Sequence, residues 1–324
     1  MEQGFRPPWW LRNAHLQSIL PSLPLRRALV QRQCAQVRNR SRPVVLDCGD
    51  GVRLLAQHTP AIPPNPAGAV LMLHGWEGDA NALYMQALAR GLLARGFEIL
   101  RLNLRDHGGT QHLNQGLFHS CLLPEVTGAV RQAQRMFAGL ALHLTGFSLG
   151  GNFLLRVAAD AGKAGLDIAS VVAISPVLEP RATMTAIESG PGIYHHYFMR
   201  KWSASLRAKQ RAWPQVYQFG DLARFASLRQ MTAYLVEQYT GFSTLAQYLD
   251  GYSITGERLA TLTAPATIIT SADDPIVPVA DLQHVAMTAN LRAVVTPFGG
   301  HCGFLTGLCA STWAESTVLE HLIR

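Results

Sequence analysis

From Pro43 onward the chain alternates two kinds of apolar pattern. Short, nearly unbroken runs such as "GAVLMLHG", "GFEILRLNLR", "LALHLTGF", "IASVVAISPV", "PATIITSADDP" and "LRAVVTPFGGH" are too short and too apolar for amphipathic helices, and they predict strands buried on both faces. Between them lie stretches with apolar residues every three or four positions. Helices are predicted over Asn81–Arg95, Leu123–Ala138, "GGNFLLRVAADAG", Val279–Met287 and Trp313–Ile323. Pro124 and Glu125 suit the first turn of the second of these, and the last glycine of "GGNFLLRVAADAG" marks that helix's end. Ahead of them, "PVVLDCGDGVRLLAQHT" reads as two strands joined by a Gly-Asp-Gly turn, followed by a Pro-rich connection over Ala61–Pro66. Strands alternating with helices predict a mostly parallel α/β sheet covered by helices on both faces.

Two regions break the alternation. Residues 1–42 are rich in Pro, Trp and Arg without a clear period, and are expected to be an irregular arm packed through Phe5, Trp9, Trp10 and Leu16. Residues 178–262 are rich in Tyr, Phe and Trp, with helical stretches near Tyr197–Arg211 and Leu222–Tyr239. They are expected to be a helical cap inserted into one domain spanning 1–324. Neither an internal repeat nor a low-complexity tract is present.

With 48% hydrophobic and 15% charged residues over 324 positions, the chain can bury a large core, which argues against disorder. The net charge of +7 is concentrated early, with Arg26, Arg27, Arg32, Arg38, Arg40 and Arg42 close together. These arginines are scattered without interleaved aromatics, so they read as a solvated face and not as a nucleic-acid site. Cys34, Cys48, Cys121, Cys302 and Cys309 share neither metal-ligand nor disulfide-framework spacing, which fits a reducing compartment. No signal-peptide pattern or membrane-length apolar run is found. A cytoplasmic protein is expected, with peripheral membrane contact left open.

The chemistry gathers around "GFSLGG". A serine hydroxyl needs a base within reach, an acid that orients the base, and donors for an oxyanion. Gly-Phe-Ser-Leu-Gly, between a predicted strand and a predicted helix, is the setting in which a strained turn exposes such a hydroxyl, here Ser148. The acid and histidine should follow later strands in that order. "TIITSADDP" offers Asp273 and Asp274, and "VVTPFGGHCGF" offers His301. Asp274 is preferred as the orienting acid because a turn begins directly after it, with Asp273 as the alternative. The oxyanion donors are expected to be the backbone N–H of Leu149, after the nucleophile, and of Trp76, in the loop "LMLHGWEGD". Gly75 and Gly78 would let that loop approach, and His74 is read as shaping it through local hydrogen bonds. The competing readings are an ordinary tight turn at Ser148 and a capping or core histidine at His301. Asp106, His107, His112 and His119 lie in one loop, but their irregular spacing reads as a site wall more readily than a metal site. The chemistry requires no cofactor or metal.

The set "FRPPWWLRNAHLQSIL", "LHGWEGDANALYMQAL", "LNLRDHGGT", "LFHS", "GFSLGGNFLLR", "ADDP" and "GGHCGF" resembles the YheT/EMB8-like serine hydrolases of the α/β-hydrolase superfamily, over Phe5 to about Phe304. That resemblance implies a Ser148–Asp274–His301 triad and an esterase or lipase-like activity on a small-molecule ester with a hydrophobic acyl group, acylglycerols included. It fixes neither substrate nor oligomeric state. Thioesterase, amidase and non-catalytic ligand-binding readings on the same fold remain the alternatives.

Overall fold

The apolar runs form the sheet. In a computed structural model that describes residues 5–22, 24–62, 65–307 and 312–322, eight strands form one sheet. They are β1 (Arg42–Asp47), β2 (Arg53–Thr59), β3 (Gly68–Leu73), β4 (Phe97–Leu102), β5 (Leu142–Phe147), β6 (Ser170–Ile174), β7 (Ala266–Ser271) and β8 (Leu291–Thr296). Their order is β1-β2-β4-β3-β5-β6-β7-β8, and only the β1–β2 and β2–β4 pairings are antiparallel. Every residue of the interior strands β3, β5, β6 and β7 is buried, while most residues of edge strands β1 and β8 are exposed or half-buried. Cys309 lies outside the described residues, as does the end of the predicted C-terminal helix at Ile323.

Alternation along a strand divides the core in two. Ala69, Leu71 and Leu73 of β3 enter one apolar cluster, together with Val126, Ala129, Val130 and Ala133. Those four residues recur at helical spacing along Leu123–Met136, which packs beside helix Leu149–Ala159. Val70 and Met72 point to the opposite cluster, beneath helices Leu83–Ala94 and Trp313–Leu322.

Between β6 and β7 the chain inserts helices Pro180–Ser189, Gly192–Ala212, Leu228–Tyr239 and Leu245–Asp250. The stretch expected to be helical over Leu222–Tyr239 is divided: a 3-10 turn at Leu222–Arg224 ends before Ser227, whose side chain accepts the N–H of Gln230 and starts the next helix.

Two expectations are corrected. The N-terminal segment is not irregular, since Ala14–Ile19, Pro24–Gln33 and Ala35–Arg40 are helices. Its buried stripe of Val30, Cys34 and Val37 is one residue wide and flanked by Arg and Gln, so no broad apolar face signals it. Residues Val279–His284 form a 3-10 segment instead of an α-helix. A bridge between Gly256 and Val285 draws the chain into extended backbone there, and no residue of the segment is buried.

Candidate active site

Ser148 follows β5 and precedes helix Leu149–Ala159, with φ +50° and ψ −121°. A non-glycine residue at positive φ is strained, and its surroundings hold it there. Its N–H donates to the Ile174 carbonyl at 2.8 Å. A Cβ at Gly150 would sit 2.4 Å from the carbonyl oxygens of Leu73 and His74, and one at Gly146 would sit 2.6 Å from the backbone of Gly150. The glycines of the motif are therefore the condition for strand, turn and helix to crowd together.

β7 and β8 deliver the other two side chains to the same end of the sheet. His301 Nε2 lies 3.0 Å from Ser148 Oγ, and His301 Nδ1 lies 2.9 and 3.2 Å from the Asp274 carboxylate oxygens. Asp274 has no exposed side-chain surface. Its Oδ1 also accepts the N–H groups of Ile276 and Val277 at 2.8 and 2.9 Å, which closes the turn after it. Asp273 faces elsewhere and accepts the Gly300 N–H at 2.9 Å. For His301, burial opposes the charged form, yet the adjoining Asp274 carboxylate prevails and holds the imidazole pKa well above its usual 6.5.

The loop after β3 presses against the serine, and a Cβ at Gly75 would lie 3.2 Å from Ser148 Cβ. The Trp76 and Leu149 N–H groups meet no protein acceptor among the described residues, so both are free to receive an oxyanion. Two buried histidines hold this loop. Leu104 N–H donates to His74 Nε2 at 3.2 Å, so the ring proton is on Nδ1, which donates to the Gly75 carbonyl at 2.7 Å. In the same way, Glu77 N–H donates to His107 Nε2 at 3.2 Å, and His107 Nδ1–H donates to the Arg105 carbonyl at 2.7 Å. Burial pulls their pKa values down to about 4 and about 3, so both stay neutral and keep these tautomers. Tyr84 Oη accepts the Gly75 N–H at 3.1 Å. Burial also raises the Glu77 carboxyl to about 7.

Three contacts were not visible in the motifs. His301 N–H donates to Ser18 Oγ at 2.8 Å, and Gln17 both accepts the Leu305 N–H at 2.7 Å and donates to the Leu305 carbonyl at 3.2 Å. Gly303 lets this happen, since a Cβ there would sit 2.1 Å from the Gln17 carbonyl oxygen. The third is Lys209, fully buried on helix Gly192–Ala212, whose Nζ donates to Asp106 Oδ1, Asn114 O and Gly116 O at 2.8, 2.7 and 2.8 Å. Asp106 is thus a structural anchor. Among the described residues, no three His, Cys, Asp or Glu side chains gather as metal ligands, and no helix is long and apolar enough to cross a membrane.

Ser148, His301 and the loop bearing Trp76 open onto one cavity of about 740 Å³. Trp76 stacks on Phe198 of the inserted helix at 5.1 Å, and Val177, Met184, Ile187 and Leu228 add apolar wall. Cavities of this size hold small organic ligands.

Residues 70–307 match the alpha/beta hydrolase family. The chain is 27% identical to the putative esterase YheT of Escherichia coli (strain K12), across 98% of this chain and 92% of that one. It is 20% identical to phospholipase ABHD3 of Mus musculus, over 74% of this chain and 59% of the relative. Among solved structures it resembles Est1E from Butyrivibrio proteoclasticus, with a TM-score of 0.54, 18% identity and coverage of 87% and 99% of the two chains. On this match, which takes in most of the chain, the protein belongs to the alpha/beta hydrolase family.

Proposed function

We propose that the protein is a serine esterase that cleaves carboxylic esters through an acyl-enzyme. The observation that carries this reading is the chain of contacts from Ser148 Oγ to His301 Nε2 at 3.0 Å and from His301 Nδ1 to Asp274 at 2.9 Å, opening onto a largely apolar cavity. In this mechanism His301 accepts the Ser148 proton as Oγ attacks the ester carbonyl. The developing oxyanion takes hydrogen bonds from the Leu149 and Trp76 N–H groups, with the N-terminus of helix Leu149–Ala159 favouring its charge. His301 then returns the proton to the departing alcohol, and a water activated by the same imidazole releases the acid. Asp274 fixes the tautomer and stabilises the imidazolium. The helices between residues 178 and 262 act as a cap on a single hydrolase domain. No step requires a metal or cofactor, and the site of action is the cytosol, which rests on the cysteine pattern.

Similarity to a putative esterase supports the reaction class. Thioester and amide cleavage would use the same three side chains, so a panel of leaving groups decides among them. The test of the reading is labelling of the folded protein by a fluorophosphonate probe, beside Ser148→Ala and His301→Ala. Labelling that disappears in both variants is expected, whereas labelling that survives Ser148→Ala removes the proposed nucleophile.

A further inference from the structure

The cavity has two ends of different character. Arg27, Arg200 and Lys201 line it at exposed positions, while Ser120 and Tyr248 line it buried and His119 and Tyr252 half-buried. Four hydrogen-bonding side chains at the closed end of an apolar cavity are unexpected for a site that holds only a hydrocarbon chain. Behind them lies Arg156, 1% exposed. Its Nε donates to Asn152 Oδ1 at 2.9 Å, its Nη2 donates to the Ser120 carbonyl at 2.8 Å, and its guanidinium lies 4.5 Å over the Phe153 ring. Among the described residues no carboxylate pairs with it. Burial lowers its pKa only to about 10, so it is cationic at neutral pH. A buried cation facing only neutral acceptors favours an anion nearby.

The hydrogen bonds lead from that cation to the cavity. Ser120 N–H donates to Tyr248 Oη at 3.1 Å, and Tyr248 Oη–H donates to Ser120 Oγ at 3.0 Å. Tyr252 also hydrogen-bonds Ser120 on the cavity wall, so the Ser120 and Tyr252 hydroxyls share one proton left for an acceptor in the cavity, strengthened by the chain behind them. His119 Nδ1 is buried without a partner. Asn152 and Arg156 stand one and two turns beyond Ser148 on the same helix, about 6 and 12 Å along its axis. Ser120, held by Arg156, and Ser148 line the same cavity, so one acyl chain can join them.

We propose that this buried end is a subsite for a carboxylate on the acyl part of the substrate, bound by the hydroxyl proton left free on the Ser120–Tyr252 pair in the field of Arg156. The preferred substrates are then monoesters of short dicarboxylic acids. This rests on the esterase reading above and adds the substrate class. The test compares kcat/KM for para-nitrophenyl hexanoate, para-nitrophenyl hydrogen adipate and its methyl ester, in the wild type, Ser120→Ala and Tyr248→Phe. Both variants are small truncations in place of an Arg156 replacement that would endanger folding. The wild type is expected to favour the free-acid ester over hexanoate by about tenfold or more, the worth of one hydrogen bond to a charged group, and both variants should lose most of that ratio. Equal or better turnover of hexanoate, a ratio unchanged in both variants, or transfer of the preference to the methyl ester overturns the carboxylate subsite. If Ser148 reacts with a fluorophosphonate while no preference appears, only the subsite fails. If the folded wild type neither labels nor hydrolyses any of the three esters, the esterase reading fails and takes the subsite with it.

Discussion

Lys209→Met places an apolar side chain of similar length where the amine makes three hydrogen bonds. The side chains of Lys209 and Asp106 are 1% and 5% exposed, so water cannot replace the lost ammonium. The variant leaves the Asn114 and Gly116 carbonyls without this donor and the Asp106 carboxylate without its counter-ion. Removing one partner of a buried ion pair costs about 3–5 kcal/mol. Two features limit the loss. Asp106 Oδ2 keeps the Phe118 N–H at 2.8 Å, and its carboxyl, already raised by burial against the pull of Lys209, can take up a proton. A loss of about 3 kcal/mol at neutral pH is therefore expected. It should shrink on acidification, because a folded-state pKa raised further means that the folded variant binds the proton more tightly than the unfolded chain. Urea unfolding of the wild type, Lys209→Met, Asp106→Asn and the double variant measures the coupling. The double variant should be more stable than the sum of the singles by about 2 kcal/mol or more. A single-variant loss below about 1 kcal/mol, or strict additivity, would refute the claim that this pair anchors the loop to the inserted helix.

Asp274→Asn should lower kcat by about four orders of magnitude, the size seen when the acid of such a triad becomes its amide, as measured on an ester that labels Ser148. The pH profile tests the same contact. Activity needs neutral His301, whose pKa lies above 6.5, so kcat/KM should rise with pH through that region, and losing the Asp274 carboxylate should move the limb to lower pH. Ser18→Ala removes the acceptor of the His301 N–H and should cost about tenfold in kcat with KM unchanged, while Ser18→Thr restores it; an unchanged kcat in Ser18→Ala would show that the N-terminal helix does not position His301. Glu315 is raised by burial from 4.5 to about 7, so the folded state holds its proton more tightly and that stability is present below pH 4.5 and lost as pH rises through about 7. Glu315→Gln should therefore gain on the wild type by on the order of 3 kcal/mol between pH 5 and 8, read by denaturant midpoints, and a pH-independent difference would contradict the burial argument.

The strands were legible because complete burial on both faces leaves an unmistakable apolar run, as in β3 and β5. The candidate site was legible for a related reason. Ser148, Asp274 and His301 each lie just beyond a strand end, so local patterns place them before any contact is known. The N-terminal helices were not legible, because Val30, Cys34 and Val37 make so narrow a stripe. Nor was Lys209, which reads as solvated among Arg207, Gln210 and Arg211 and finds its carboxylate 103 residues away. The two glycines after β8 read as a turn, whereas a Cβ at Gly300 would strike the Ala14 carbonyl oxygen at 2.4 Å.

These missed contacts share a purpose that the motifs leave open. A serine at positive φ and an imidazole between two partners keep their geometry only if the backbone around them is over-determined. The sheet fixes Ser148 through Ile174, but the loops bearing Trp76 and His301 extend beyond the strands and need outside support. The first is held by neutral His74 and His107, the latter seated beside the Asp106–Lys209 pair, and the second by Gln17 and Ser18 of an N-terminal helix. All of these supports are polar and nearly all are buried, so weakening any one leaves an unsatisfied partner instead of a solvated one. Variants at Ser18, His107 and Lys209 should therefore lower kcat well before they unfold the sheet, although only one of the three residues lies in the inserted helices.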